Sequence, residues 1–344
     1  MSSISFLPNA TTAARAAPLT HRRGAIAARA SAAAGFSLVE LMVAMTIGLL
    51  IIVGLTTLYV TSVSGKKTDA RFAEFQTNAR FGLDAIKRDI QMAGFTAFSN
   101  SVNSGMTKTN ISTCGDGFAT RLKESIYGYN DSKGDNCIPS GDYEAGTDVL
   151  VLRRIGPECI GAPPCTGGGI ATDRLYIRST TDNQTQMYAG NAPPLAGGKF
   201  PEEFELHTDI YFIRQCTNTT CESPNVPALY RMSLKPGPAM EEELVASNIE
   251  DMQLQYGVNT VNDNVVTSVR FYDADPTVAT NAMPPTDWKN VASVRIWLLA
   301  RSSEKDPGFS ASQSFSYAGK QVTKSDGYQR QLFQQVVQIR EARS

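Results

Sequence analysis

The longest feature in the hydrophobic pattern lies near the start of the chain. An apolar run opens at Phe36 and continues to Gly65, and Leu41–Gly65 holds 25 positions without a charge. A helix needs about 20 apolar residues to cross a bilayer core, and the apolar stretch of a cleaved secretory signal is about 7–15 residues. The run is therefore read as a spanning helix. Beyond it Phe72, Phe75, Ala79, Leu83, Ile86, Ile90 and Ala93 recur at spacings of three and four, which predicts an amphipathic helix packed on its own domain. Arg80, Asp84 and Arg88 lie four apart on its flank, where opposite charges support each other weakly, and Gly94 is its stop signal.

The texture changes after Phe95. Ser99, Asn100, Asn103, Ser104 and Gly105 mark a polar loop, and Gly161–Gly169 reads as a Gly- and Pro-rich one. Short β-type runs follow at Asp148–Ile155, Arg174–Arg178, Phe204–Arg214, Ala228–Leu234, Ile249–Val258, Val265–Tyr272, Val291–Ala300 and Leu332–Arg340. In one of them Val294, Ile296 and Leu298 share a face opposite Arg295, Trp297 and Leu299, as a pleated strand requires. With no repeat and no alternating βαβ pattern, a parallel nucleotide-binding sheet is not expected. The fold class is α+β: a long N-terminal helix, its first half transmembrane, packed on an antiparallel sheet domain. The regions are residues 1–35 as a leader, 36–65 as the spanning half-helix, 66–95 as the amphipathic half and 96–344 as a β-rich globular part.

Charge sets the orientation. The net charge is -1, with 42% hydrophobic and 19% charged residues, so no basic surface points to nucleic acid. The imbalance is local: no acidic residue precedes Glu40, whereas Arg15, Arg22, Arg23 and Arg29 do. Those arginines stay cytoplasmic by the positive-inside rule, which places the rest of the chain in the periplasm.

Glu40 does not suit a plain anchor, because a carboxylate at bilayer depth costs about 2.5–3.5 kcal/mol on insertion scales and calls for a partner. Its surroundings, Gly35-Phe36-Ser37-Leu38-Val39-Glu40-Leu41, closely resemble the processing signal of type IV prepilins. The resemblance implies that a prepilin peptidase cuts after Gly35, that the new N-terminus at Phe36 is methylated, and that Glu40 pairs with the N-terminal amine of a neighbouring subunit. A cation and a carboxylate in one low-dielectric layer attract several-fold more strongly than in water, and pairing between subunits relieves both buried charges. The 35-residue leader, rich in Ala and Ser, is longer than is usual in that family.

Asn248-Ile-Glu-Asp-Met-Gln-Leu-Gln-Tyr-Gly257 and Val291-Ala-Ser-Val-Arg-Ile-Trp-Leu-Leu-Ala-Arg-Ser302, with the closing Gln329-Arg-Gln-Leu-Phe333, resemble the C-terminal strands of the PilW family of minor pilins. That resemblance implies a pilin-like fold and a low-abundance subunit that helps to initiate the type IV pilus at or near its tip. The implied partners are other minor pilins, major pilins and a tip adhesin, and the implied location is the bacterial inner membrane and the pilus. Residues from Thr96 to Pro227 match nothing specific.

All six cysteines, Cys114, Cys137, Cys159, Cys165, Cys216 and Cys221, follow the span. An even number in an oxidising compartment suggests disulfides. Of the 15 connectivities that six cysteines allow, pairing in sequence order is the simplest: Cys114–Cys137, Cys159–Cys165 and Cys216–Cys221. No Cys-x-x-Cys pair is present and the part after Gly35 keeps one histidine, His207, so no zinc site is expected.

No catalytic constellation emerges, and neither enzymatic activity nor a cofactor is expected. His207 lies in a strand-like run and no Gly-x-Ser-x-Gly elbow exists. Gly65-Lys66-Lys67-Thr68 departs from a phosphate loop at Val60 and Lys67 and reads as a basic exit from the bilayer. Asn130–Asn136 and Asn259–Asn264 offer oxygen ligands but lack the twelve-residue calcium loop with its closing glutamate, so they read as solvated turns. Two other functions remain: a minor pseudopilin of a type II secretion system, with the same helix design, and a signal-anchored periplasmic binding module or enzyme, whose N-terminus would stay uncut.

Overall fold

A computed structural model describes residues 35–340, apart from 96–109, 112–113, 162–164, 183–184, 193–198, 260–268, 275–287 and single loop positions. The expected leader, the polar loop from Ser99 to Gly105 and most of Asn259–Asn264 lie outside the described residues. The chain divides into two compact units, one ending at Thr61 and one running Ser62–Ser344. One helix, α1 (Leu38–Met92), contributes to both.

In the first unit the large side chains of α1 from Leu41 to Val60 are apolar on every side and exposed. A helix apolar all round suits a membrane rather than a protein surface. Gly65-Lys66-Lys67-Thr68 is helical throughout, so it forms no phosphate-binding loop.

In the second unit α1 turns one stripe inward. Phe75, Ala79, Gly82, Leu83, Ile86, Asp89 and Ile90 are buried, whereas Phe81 is 61% exposed. Ala93 is buried as the spacing predicts, Phe72 is 38% exposed, and Arg80, Asp84 and Arg88 face solvent. Each buried Leu, Ile or Phe side chain contributes about 1.5–3 kcal/mol relative to exposure, far more than helix propensity supplies. The helix ends at Met92, and Gly94, at φ 77°, takes a left-handed conformation and donates its N–H to the carbonyl of Arg153.

The strands, in chain order, are β1 (Asn110–Ile111), β2 (Gly115–Asp116), β3 (Ile126–Tyr129), β4 (Val149–Ile160), β5 (Leu175–Ser179), β6 (Thr185–Ala189), β7 (Glu202–Arg214), β8 (Ala228–Lys235), β9 (Ala239–Ser247), β10 (Ile249–Asn259), β11 (Val269–Tyr272), β12 (Val291–Arg301), β13 (Gln313–Tyr317), β14 (Lys320–Lys324) and β15 (Arg330–Gln338). All ladders are antiparallel. Each of the eight predicted runs contains a strand, but they form two main sheets rather than one. The larger has seven strands centred on β7, which pairs with β4 on one edge and with both β5 and β8 on the other. The smaller has the order β11-β10-β12-β15. Asn248, at φ 69°, is the single residue between β9 and β10; Asn tolerates this left-handed conformation, and there the chain leaves one sheet and enters the other.

The helix stripe packs with Leu150, Leu152, Tyr211 and Ile213 of the larger sheet and with Met252, Val294, Ile296 and Leu298 of the smaller one. The opposite face of the larger sheet, with Val151, Ile210 and Phe212, forms a second core around Cys114 and Cys137. The β13–β14 hairpin covers Trp297 and Leu299 on the other face of β12, which confirms the predicted alternation along that strand.

Candidate functional site

The N-terminal motif belongs to the first unit. Phe36 is 89% exposed and Glu40 is exposed. Ser37 immediately precedes α1, and its backbone N–H donates to Glu40 Oε2 at 3.2 Å. Ser-x-x-Glu at a helix start is the capping-box pattern, in which the third helical residue reaches back to the orphan N–H at the cap. The carboxylate also sits in the first turn, where the helix dipole favours negative charge. Within one chain, then, Glu40 is held at the N–H of the Phe36–Ser37 bond, one residue after the Gly35–Phe36 bond, and serves as a helix cap.

The body of the second unit is tied together by polar contacts that the apolar pattern did not reveal. Asp89 is the charged residue buried within α1, at 4% exposure. It accepts from Tyr211 Oη at 2.5 Å, Arg154 Nη2 at 3.0 Å and Arg231 Nη1 at 3.3 Å. Asp209 lies beside the same arginines and accepts from Ser233 Oγ at 2.6 Å. Burial, and then the negative charge of Asp89, hold the Asp209 carboxyl above the usual carboxylate range. Burial, followed by the same Asp89 charge, raises the Tyr211 hydroxyl. Four elements, α1, β4, β7 and β8, thus meet on two carboxylates and two guanidiniums. A buried charge cluster adds little net stability but fixes geometry, because any displacement leaves a charge unpaired. Position 89 lies three residues after Ile86 and one before Ile90, inside the apolar stripe, and that placement is its one sequence signal.

A third buried carboxylate, Asp148, links the sheets. Its Oδ2 accepts from Leu254 N–H at 2.7 Å and its Oδ1 from Asp131 N–H at 3.0 Å. Desolvation pushes it up to about 8, against the pull of these two N–H groups. Asp131, in the turn read as solvated, also pairs with Lys320 of the β13–β14 hairpin.

The cysteines pair as Cys114–Cys137, Cys159–Cys165 and Cys216–Cys221, with Cα separations of 4.4, 5.0 and 5.2 Å. Among the described residues no group of three or more His, Cys, Asp or Glu side chains could hold a metal ion. His207 lies in β7 beside Gly156, Pro157, Glu158 and Glu205. Burial and then the nearby Arg154 lower its pKa.

Residues 210–341 match the family model described as type IV pilus-assembly protein W, and residues 30–56 match the prokaryotic N-terminal methylation motif. That C-terminal stretch, 132 of the 344 residues, is PilW-like. The PilW match runs from the second half of β7 to the end of β15 and takes in the whole smaller sheet. The methylation match encloses Gly35, Phe36 and Glu40. Together they support a type IV pilin-like role in pilus assembly, with a membrane-anchoring helix, processing by a prepilin peptidase and pilin partners in general. No curated protein and no solved structure matches the chain.

Proposed function

We propose that the chain is a minor pilin of the type IV pilus that acts with other minor pilins, at or near the tip, to start the filament. The observation that carries this reading is the pairing of a methylation motif, with Glu40 at the first turn of an all-round apolar helix, with a PilW-like sheet at the other end of the chain. The peptidase cuts after Gly35 and Phe36 becomes the methylated N-terminus. Before assembly the Glu40 carboxylate caps its own helix through Ser37 N–H. On assembly it meets the Phe36 amine of a neighbour, a cation of matching charge in the same water-poor layer. The β-rich body stays on the periplasmic side and presents its disulfide-closed loops to other minor pilins or an adhesin. No step calls for a catalytic group or a cofactor.

Glu40→Ala tests this reading. The variant is expected to insert and be processed, yet to be missing from sheared pili. Recovery of Glu40→Ala in pili at the wild-type level would remove the role given to Glu40.

A further inference from the structure

Among the described residues the edge at β15 is open in a way that the other long edge is not. β15 pairs with β12 over nine consecutive residues, Arg330 to Gln338, without a register shift. From Gln331 to Gln338 it holds no charge and no proline, and Val336 is 50% exposed. The other long edge strand, β9, carries Glu241, Glu242 and Glu243 and a register shift in its pairing with β8, which are devices that discourage strand addition. Backbone bonds at the two ends of β15 give its polarity. Gln329 O accepts from Ser302 N–H, and Ile339 N–H donates to Ala292 O. Odd-numbered residues therefore direct their backbone groups to β12, and Leu332, Gln334 and Val336 direct theirs away from the sheet.

A row of α1 side chains runs along this edge. Gln76, Arg80, Lys87 and Gln91 are spaced four, seven and four apart, which places them on one helix flank. The ends of the row are fixed to the strand region: Gln76 Nε2 donates to Gln331 Oε1 at 2.7 Å, and Arg340 N–H donates to Gln91 O at 3.3 Å. Arg80 and Lys87 lie between those two anchor points. Among the described residues neither forms an ion pair; Asp84 lies one turn from both, and with Arg88 beside Lys87 the flank stays net positive.

We propose that the β15 edge takes up an extended segment of a partner chain, antiparallel to β15, with carboxylates on the side facing α1 and uncharged residues on the other. Unpaired strand groups fit a strand, and its main-chain hydrogen bonds supply affinity. Arg80 and Lys87 supply the sign of the charge. A second copy of β15 brings no carboxylate, and two of the three glutamates of β9, Glu242 and Glu243, are already paired with Arg214 and Arg231. The proposal rests on the reading of the chain as a filament subunit, but it is tested without filaments.

The probe is a labelled eight-residue peptide of alternating Val and Glu, compared with one of alternating Val and Lys, titrated against the full chain in detergent micelles by fluorescence anisotropy. The Glu peptide is expected to bind at least about tenfold more tightly than the Lys peptide. Gln334→Pro removes one outward N–H and leaves the bonds to β12 intact, so it is expected to weaken the Glu peptide at least about tenfold. Arg80→Glu with Lys87→Glu, both on the helix flank and away from its buried stripe, is expected to reverse the preference. That pair keeps the test decisive if the proline variant fails to fold. Equal binding of both peptides, or a Gln334→Pro chain that binds the Glu peptide as wild type does, overturns the proposal. A covalent dimer of the chain from a photo-crosslinker at Gln334 also overturns it, since the edge then belongs to a second copy. Loss of pilus entry by Glu40→Ala has no bearing on these titrations, so the two ideas fail separately.

Discussion

Asp89→Ala removes the shared acceptor of Tyr211, Arg154 and Arg231. Removing one partner of a buried charge pair costs about 3–5 kcal/mol, because the charge left behind stays desolvated. Two features place this case near the lower end. Arg231 is about a third exposed and keeps Glu243, and Asp209 is relieved of a like charge that holds its pKa up. Arg154 is more deeply buried and, among the described residues, keeps only Asp209, at 3.8 Å. A loss of about 3 kcal/mol follows, which at a typical urea dependence moves the unfolding midpoint down by about 1 M. The assay is urea unfolding of the full chain in detergent micelles, followed by the fluorescence of Trp288 and Trp297, both buried beside the smaller sheet. Asp89→Leu combined with Arg154→Met, which removes both charges, should recover most of the loss. A midpoint shift below about 0.3 M for Asp89→Ala would show that the cluster neither holds the helix nor is desolvated as its geometry implies.

Two further outcomes follow from buried groups. Asp148 has a folded pKa of about 8, above its unfolded value, so its contribution to stability is fullest below pH ~4 and is lost as pH rises toward ~8, at up to about 1.4 kcal/mol per pH unit. Asp148→Asn should flatten the slope measured between those limits, and an unchanged slope would mean that Asp148 does not carry it. Gly128 is required by contact, since a Cβ there would meet Tyr256 Oη at 1.9 Å. Gly128→Ala should destabilise the body by about 1–3 kcal/mol. Tyr256→Phe should restore part of that, because among the described residues the buried Tyr256 hydroxyl has no hydrogen-bond partner; no rescue in the double variant would place the strain elsewhere.

The apolar first half of α1 was legible as one uncharged run, and the inward stripe of α1 and eight strands as apolar residues at a fixed period. The strands that escaped notice are those in which packing, not pattern, sets the conformation. β9 carries three successive glutamates and lies at a sheet edge, β13 and β14 are mostly polar and form a separate hairpin, and β3 contains Gly128 to admit a tyrosine from another strand. Division into two sheets was hidden for a similar reason: it turns on the single residue Asn248. The methylation motif that encloses Gly35, Phe36 and Glu40 could be read from its local order. Asp89, Arg154, Arg231 and Asp209 are scattered over 143 positions, counting from 89 to 231, and only folding brings them together.

The central claim is that the chain is a processed filament subunit, and the mass of its N-terminal fragment tests it most directly. The full chain is expressed with and without a prepilin peptidase. A chain that begins at methylated Phe36 only when the peptidase is present is the predicted result. A chain that keeps its leader in both cases would contradict it and leave a permanently anchored periplasmic domain.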